Sequence, residues 1–286
     1  MKDQLKVHLS QLLDKPIRTL LPVSGGDISE AYRIETADNT YFLKCNSSPR
    51  ALHMFEMEAN GLQIINNTKT IKTPEVLHYG TFENAAFLLL EYIESKSASA
   101  EDFARLGSQL AKLHHCTADT FGLALDNYIG SLAQRNTPHE QWIQFYLHER
   151  LLPQIHMATQ QGLLDLKECP SIGTLTNTLE SLMPSVKPSL LHGDLWSGNY
   201  IISKEGVPYL IDPAAYYGHH EVDLAMTRLF GGFGQSFYEA YQAVHPKDTQ
   251  TASRIDIYQL YYLLVHLNLF GSSYRASVVS IFRKYF

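Results

Sequence analysis

The sequence predicts an α+β fold of two lobes, a small antiparallel-sheet lobe at the N-terminal side and a mainly helical lobe after it. Three observations lead there. Short apolar runs of strand character crowd the stretch from Leu20 to Glu91. From Phe103 onward, apolar residues recur at helical spacing instead. A chain of 286 residues that is 45% apolar also buries a substantial core.

The elements follow in order. Leu5 to Leu13 forms an opening helix, and Leu20 to Val23, Ala31 to Ile34 and Tyr41 to Lys44 read as short strands. Phe55, Ala59 and Leu62 repeat at helical spacing within Leu52 to Ile65. Pro74 closes the linker behind that helix, because proline restricts its predecessor and has no N–H for a ladder. Val76 to Gly80 and Ala86 to Glu91 make another strand pair. The first lobe then extends over residues 1–93 and the second over 94–286.

Beyond Ile93, Ser99 and Asp102 have capping-box spacing, and Phe103, Leu106, Leu110 and Leu113 form an apolar stripe. Gly107 permits close approach of a second helix. Trp142, Phe145, Tyr146, Leu151 and Leu152 mark an aromatic-rich helix whose rings face a core. Leu175 to Leu182, Glu221 to Phe230, Phe237 to Ala243 and Ile255 to Leu269 complete the helical lobe.

Between those helices lies His192-Gly-Asp-Leu-Trp-Ser-Gly-Asn199, followed by the strand Tyr200 to Ile202, a polar turn, the return strand Val207 to Ile211, and Asp212-Pro213. A His-Gly-Asp triplet alone is an ordinary turn sequence. The four residues between Asp194 and Asn199, and a hairpin returning Asp212 beside them, match the needs of phosphotransfer. Asp194 is the candidate base for an attacking alcohol. Asn199 and Asp212 offer hard oxygens to magnesium. His192 supports the loop backbone, and Asp223, at a helix start, is expected to cap backbone donors there and to hold the catalytic hairpin.

Ser24, Gly25, Gly26 and Asp27 make either a tight turn whose amides approach a phosphate or an ordinary hairpin turn, since the sequence is neither a Walker loop nor a dinucleotide fingerprint. Lys44 and Glu58, taken singly, are solvated charges. Their order after the glycine turn points to an ion pair that holds the ammonium against phosphates. Glu91, Tyr92 and Ile93 are either a hinge whose backbone meets an adenine edge or the plain end of a core strand.

With 23 basic against 29 acidic residues and a formal charge of -6, the chain has no cationic footprint for nucleic acid. Cys45, Cys116 and Cys169 are isolated and odd in number, which fits reduced thiols in the cytoplasm. No apolar run reaches membrane-spanning length, and Met1-Lys-Asp-Gln leads into no apolar signal segment. Monomer and weak homo-oligomer both stay open.

The sequence resembles the fructosamine kinase, or ketosamine-3-kinase, family within the protein-kinase-like and aminoglycoside-phosphotransferase-like fold. The motifs that carry this run along nearly the entire chain: Val23-Ser-Gly-Gly-Asp27, Tyr41-Phe-Leu-Lys44, Met54-Phe-Glu-Met-Glu58, Leu113-His114 and Asp126-Asn-Tyr-Ile-Gly130. The most specific are His192 to Asn199 and Ile211-Asp-Pro-Ala-Ala-Tyr-Tyr-Gly218, extended by Glu221-Val-Asp-Leu-Ala225. The resemblance implies ATP and Mg2+ as cofactors, with Asp194 catalytic, Asn199 and Asp212 on the metal, Lys44 with Glu58 positioning phosphates, and Ser24 to Ile28 as the nucleotide turn. It implies phosphorylation of the 3-hydroxyl of a sugar joined to an amine, after which elimination releases the amine. Ketosamine small molecules or glycated protein amines are then the partners.

On the acceptor side, Trp196, Tyr216, Tyr217, His219, His220 and Glu221 are the expected lining residues. Two departures bear on this. His219-His220-Glu221 lacks the basic residue that relatives often carry there, and Asp212-Pro-Ala replaces the Phe-Gly of protein kinases with no long activation segment behind it. A kinase for another small alcohol, such as an aminoglycoside or amino alcohol, is the first rival, and a silent nucleotide-binding scaffold is the second.

Overall fold

The computed structural model describes residues 2–23 and 29–286. In chain order the elements are α1 (Lys2–Leu12), β1 (Thr19–Val23), β2 (Glu30–Glu35), β3 (Thr40–Asn46), α2 (Ala51–Asn67), β4 (Val76–Phe82) and β5 (Ala85–Glu91). There follow α3 (Ala100–Leu113), β6 (Asn127–Ile129), β7 (Leu132–Gln134), α4 (Trp142–Phe145), α5 (Leu152–Gln160) and α6 (Ile172–Leu182). The chain ends with β8 (Ser189–Leu191), β9 (Tyr200–Ile202), β10 (Pro208–Leu210), β11 (Tyr216–Gly218), α7 (Glu221–Leu229), α8 (Gln235–Gln242), α9 (Thr251–Phe270) and α10 (Arg275–Tyr285).

β5 explains how the small lobe is built. Its unbroken apolar run is buried on both faces: Ala86, Leu88 and Leu90 pack on α2, while Phe87 and Leu89 meet Leu9 of α1 with Tyr32, Ile34 and Leu43. A strand covered on both sides has no polar face to alternate with. The five strands run antiparallel in the order β1-β2-β3-β5-β4. Lys44 lies directly opposite Leu88 in the β3–β5 register. Opposed residues share a face, so the ammonium points towards α2.

The helical lobe surrounds a core rich in aromatic rings, among them Phe145, Tyr146, Tyr216, Tyr258, Tyr261 and Tyr262. α3 begins with the expected capping box, in which Ser99 accepts the Asp102 amide and the Asp102 carboxylate accepts the Ser99 amide. Gly107 allows the close crossing of α3 and α8, since a Cβ there would stand 2.2 Å from the Phe237 carbonyl oxygen. The aromatic helix is one run from Trp142 to Gln160 that widens to π geometry over Tyr146–Leu151 ahead of Pro153. Proline has no N–H to donate and crowds the preceding turn, which a widened turn relieves.

Two features depart from expectation. Tyr216 to Gly218 is a strand paired antiparallel with Ser189 to Leu191, so the chain on either side of the β9–β10 hairpin is stitched together. The C-terminal helix α10 buries Val278, Val279 and Phe282. Among the described residues no helix is long and apolar enough to cross a membrane.

Candidate active site

Three segments meet between the sheet and the helices. The β9–β10 hairpin has the predicted form, with Tyr200 paired to Leu210 and Ile202 to Pro208. Its ends bring Asn199 and Asp212 side by side, because the Ile211 amide donates to the Asn199 carbonyl at 3.1 Å. Asn199 Nδ2 donates to the Asp194 carbonyl at 2.8 Å and reaches its carboxylate Oδ2 at 3.3 Å. These bonds consume the amide nitrogen and leave Oδ1 as the remaining polar atom of the Asn199 side chain.

Asp194 lies in a strongly perturbed electrostatic setting. Burial pushes its carboxyl up to about 7, and the charges of Asp212 and Asp223 act in the same direction. Gly193, just before it, has φ of 85°, and a Cβ there would fall 2.1 Å from the Ala214 carbonyl oxygen, so only glycine fits. His192 Nε2 donates to the Ile211 carbonyl at 2.8 Å, and its Nδ1 accepts the Asp194 amide at 3.2 Å. The fully buried imidazole is held neutral chiefly by burial and braces the loop.

Lys44 bridges the other half of the site. Its ammonium lies 2.8 Å from Glu58 Oε1 and pairs with the Asp212 carboxylate. Burial raises the Glu58 carboxyl. Burial also acts upward on Asp212, but the adjacent ammonium outweighs it and holds that carboxyl below its usual range. Asp212 sits in the left-handed region with φ of 54°, which aspartate tolerates better than most residues. Gly61 of α2 packs against Pro213, with its position for a Cβ 3.0 Å from Pro213 Cγ.

The loop is also anchored from behind. Asp223 accepts the amides of His192 at 2.8 Å and Gly193 at 2.9 Å, and His114 Nε2 lies 3.0 Å from the same carboxylate. Tyr262 donates its hydroxyl to the Gly193 carbonyl at 2.8 Å. Asn127 and Gln134 of the β6–β7 hairpin donate to the carbonyls of Ala215 and Ala214. Neither the anchoring role of His114 nor that of Tyr262 is visible in the sequence, where His114 is one of two histidines just after α3 and Tyr262 is one of several tyrosines on an apolar helix.

The predicted acceptor lining divides. Trp196 stands 38% exposed beside the loop, with its ring folded over Gly198. Tyr217 is half-buried on β11. Three residues are corrected. Tyr216 is fully buried with the Arg150 guanidinium 3.9 Å from its ring centre. His219 is buried with Nδ1 2.6 Å from the Tyr258 hydroxyl. Glu221 is spent on Arg254, through contacts of 2.6 and 2.8 Å. None of the three faces an acceptor, because β11 and the start of α7 run through the core. His220 is half-buried in a ring cluster, its centroid 4.5 Å from that of His245.

The nucleotide-side expectations divide as well. Ser24, Gly25, Gly26, Asp27 and Ile28 lie outside the described residues. Glu91 ends β5, its amide donating to the Glu75 carbonyl at 2.9 Å, and Tyr92 and Ile93 follow outside any strand. The Arg33 guanidinium lies 5.1 Å from the Tyr92 ring centre.

The family model for fructosamine kinase matches residues 1–286. A protein of Lactiplantibacillus plantarum named as a probable ketoamine kinase is 41% identical over 98% of this chain and 99% of its own length. A chloroplastic protein-ribulosamine 3-kinase of Arabidopsis thaliana is 39% identical over 92% of this chain and 81% of its own. Among solved structures, one described as a putative fructosamine-3-kinase from Thermobifida fusca superposes with a TM-score of 0.86 at 31% identity, covering 98% of this chain and 97% of the other. An aminoglycoside phosphotransferase bound to AMP-PNP and hygromycin B shares the fold, at a TM-score of 0.65 and 17% identity over 98% of each chain. By its site, its fold and these likenesses, the chain belongs to the fructosamine kinase family.

Proposed function

We propose that this kinase transfers the γ-phosphoryl group of ATP to the 3-hydroxyl of a ketosamine, a sugar carried on an amine. The acceptor oxygen forms its bond to the γ-phosphorus, the bond to the leaving ADP oxygen breaks, and the hydroxyl proton passes to Asp194. Asn199 holds that carboxylate in place through its amide nitrogen. Lys44, steadied by Glu58, contacts the nucleotide phosphates, and the Ser24 to Ile28 segment is assigned to them on its sequence alone. We place the adenine edge against the backbone of Glu91 to Ile93 and divide the lobes after Ile93.

Magnesium fits the donor set, one carboxylate from Asp212 and one amide oxygen from Asn199, which leaves positions for phosphate oxygens and water. When bound, the ion neutralises charge on the phosphates. The 3-phosphate formed on the sugar favours elimination, which frees the amine and reverses early glycation.

The observation that carries this reading is the meeting of Lys44, Glu58 and Asp212 opposite the Asp194–Asn199 pair, in a chain of the fructosamine kinase family. The test is magnesium-dependent transfer of labelled γ-phosphate to ribulosamines and fructosamines, with aminoglycosides and choline-like alcohols alongside. Ketosamines should be labelled, and Asp194→Asn should lower turnover by about 100-fold or more while still binding ATP. Labelling of another alcohol alone would refute the ketosamine assignment.

A further inference from the structure

Glu58 steadies Lys44 only if α2 keeps its place, and α2 is held from the helical lobe as well as from the sheet. Phe55, Ala59 and Leu62 pack on β5, whereas Ile65 belongs to the core of the helical lobe. Gly61 abuts Pro213. Before Glu58 on the same helix, His53 Nδ1 lies 3.0 Å from the Tyr128 hydroxyl of β6, and the two rings meet edge to face with centres 5.6 Å apart. The contacts with Tyr128 and Pro213 therefore bracket Glu58 along α2.

The β6–β7 hairpin that carries Tyr128 is itself fixed to the segment after Asp212. Successive side chains of a strand point to opposite faces, so Tyr128 turns to α2 while Asn127 and Ile129 are buried. Asn127 Nδ2 donates to the Ala215 carbonyl at 2.8 Å, and its Oδ1 accepts from Gln134 Nε2 at 2.8 Å and Asn136 Nδ2 at 3.0 Å. Gln134 also donates to the Ala214 carbonyl at 3.2 Å and accepts the Tyr261 hydroxyl at 2.7 Å. A buried polar network whose members have their partners is rigid. The Ala214 amide in turn donates to the His192 carbonyl at 2.9 Å, which sets the gripped segment against the catalytic loop.

Only Pro213, Ala214 and Ala215 separate Asp212 from β11, so the chain has no long segment of its own there to keep Asp212 in line with Glu58. We infer that the β6–β7 hairpin is the strut that sets α2 against the Asp212 segment, and that Tyr128 is a positioning residue for nucleotide binding, acting through His53 on the Lys44–Glu58 pair. The inference rests on the assignment of that pair to the nucleotide phosphates. It makes the phosphate-holding side chains assembled before ATP arrives.

The test titrates a fluorescent ATP analogue with magnesium into the full chain, beside steady-state kinetics. Tyr128→Ala should weaken nucleotide binding about fivefold, the effect of losing one hydrogen bond, and leave the acceptor KM unchanged. His53→Ala, at an exposed position, should reproduce this from the other side of the contact. In a Glu58→Gln background, Tyr128→Ala should add little further loss, because residues acting through one ion pair are not additive. In the nucleotide-free protein, Tyr128→Ala should speed hydrogen exchange of the α2 amides and leave those of α9 unchanged. Full nucleotide affinity in Tyr128→Ala or His53→Ala, or a fully additive loss in the Glu58→Gln background, would overturn the inference. These titrations need no acceptor: a wild type that binds the nucleotide but labels no ketosamine refutes the substrate reading, while the strut is still judged by the same affinities.

Discussion

The carboxylate of Asp223 accepts the backbone N–H of His192 at 2.8 Å and that of Gly193 at 2.9 Å, so a side chain of α7 carries the loop that bears Asp194. Asp223 is fully buried, and its carboxyl is held below the usual range: burial opposes ionisation, but the hydrogen bond from His114 and those from the loop outweigh it. Removing it strands two buried amides. Asp223→Ala should cost about 3 kcal/mol of stability, read by urea denaturation. Turnover should fall more than nucleotide affinity, because the displaced element is the catalytic loop.

The raised carboxyl of Asp194 predicts both a rate profile and a stability profile. A base must be ionised to accept a proton, so transfer should climb with pH and level off above about 7. The same shift costs stability once the carboxyl ionises. Its folded pKa exceeds the unfolded value of about 4, so the penalty is absent in acid, grows as pH rises, and is complete above the folded pKa. Asp194→Asn should therefore be more stable than wild type at pH 8 and lose that advantage at pH 4. A flat pH–rate profile would remove Asp194 as the base.

The ring cluster below the loop should make the fold acid-sensitive. Burial, with neighbouring cations second, lowers His219 to about 3; burial also lowers His245 to about 4, and His220 moves the same way. Because the folded pKa lies below the unfolded value of about 6.5, these histidines stabilise the protein fully only above it, and that contribution drains as pH falls towards 4 and then 3. Thermal melts should show Tm dropping through this window. His245→Gln should flatten the drop.

Glu221 separates a structural from an acceptor role. Its carboxylate and the Arg254 guanidinium are both nearly inaccessible, with exposures of 6% and 4%. Breaking a buried pair from one side costs about 3–5 kcal/mol. Glu221→Gln should lower stability accordingly while leaving the acceptor KM of the folded fraction unchanged. A raised KM at normal stability would return Glu221 to the acceptor site.

Much of the site was legible because it is local in sequence. Asp194, Asn199 and Asp212 sit on one loop and one hairpin, and the Ser99–Asp102 cap is set by neighbours three residues apart. Lys44 and Glu58 were readable from their order, since a strand-end cation followed by a helix carboxylate fits one known arrangement.

Sequence pattern alone determined the α+β class, the candidate roles of Asp194, Asn199 and Asp212, and the resemblance to a phosphotransfer family. Tertiary structure alone decided which way the polar side chains after Asp212 point. Tyr216, His219 and Glu221 have the right groups for binding a sugar, yet pairing of β11 with β8 and the docking of α7 on α9 turn them inward. It also brought His114, Tyr262 and Asp223 behind the loop from three distant helical segments. Periodicity shows that a residue shares a face with its neighbours, but whether that face meets core or cleft depends on partners far along the chain, and short elements carry too few residues to tell.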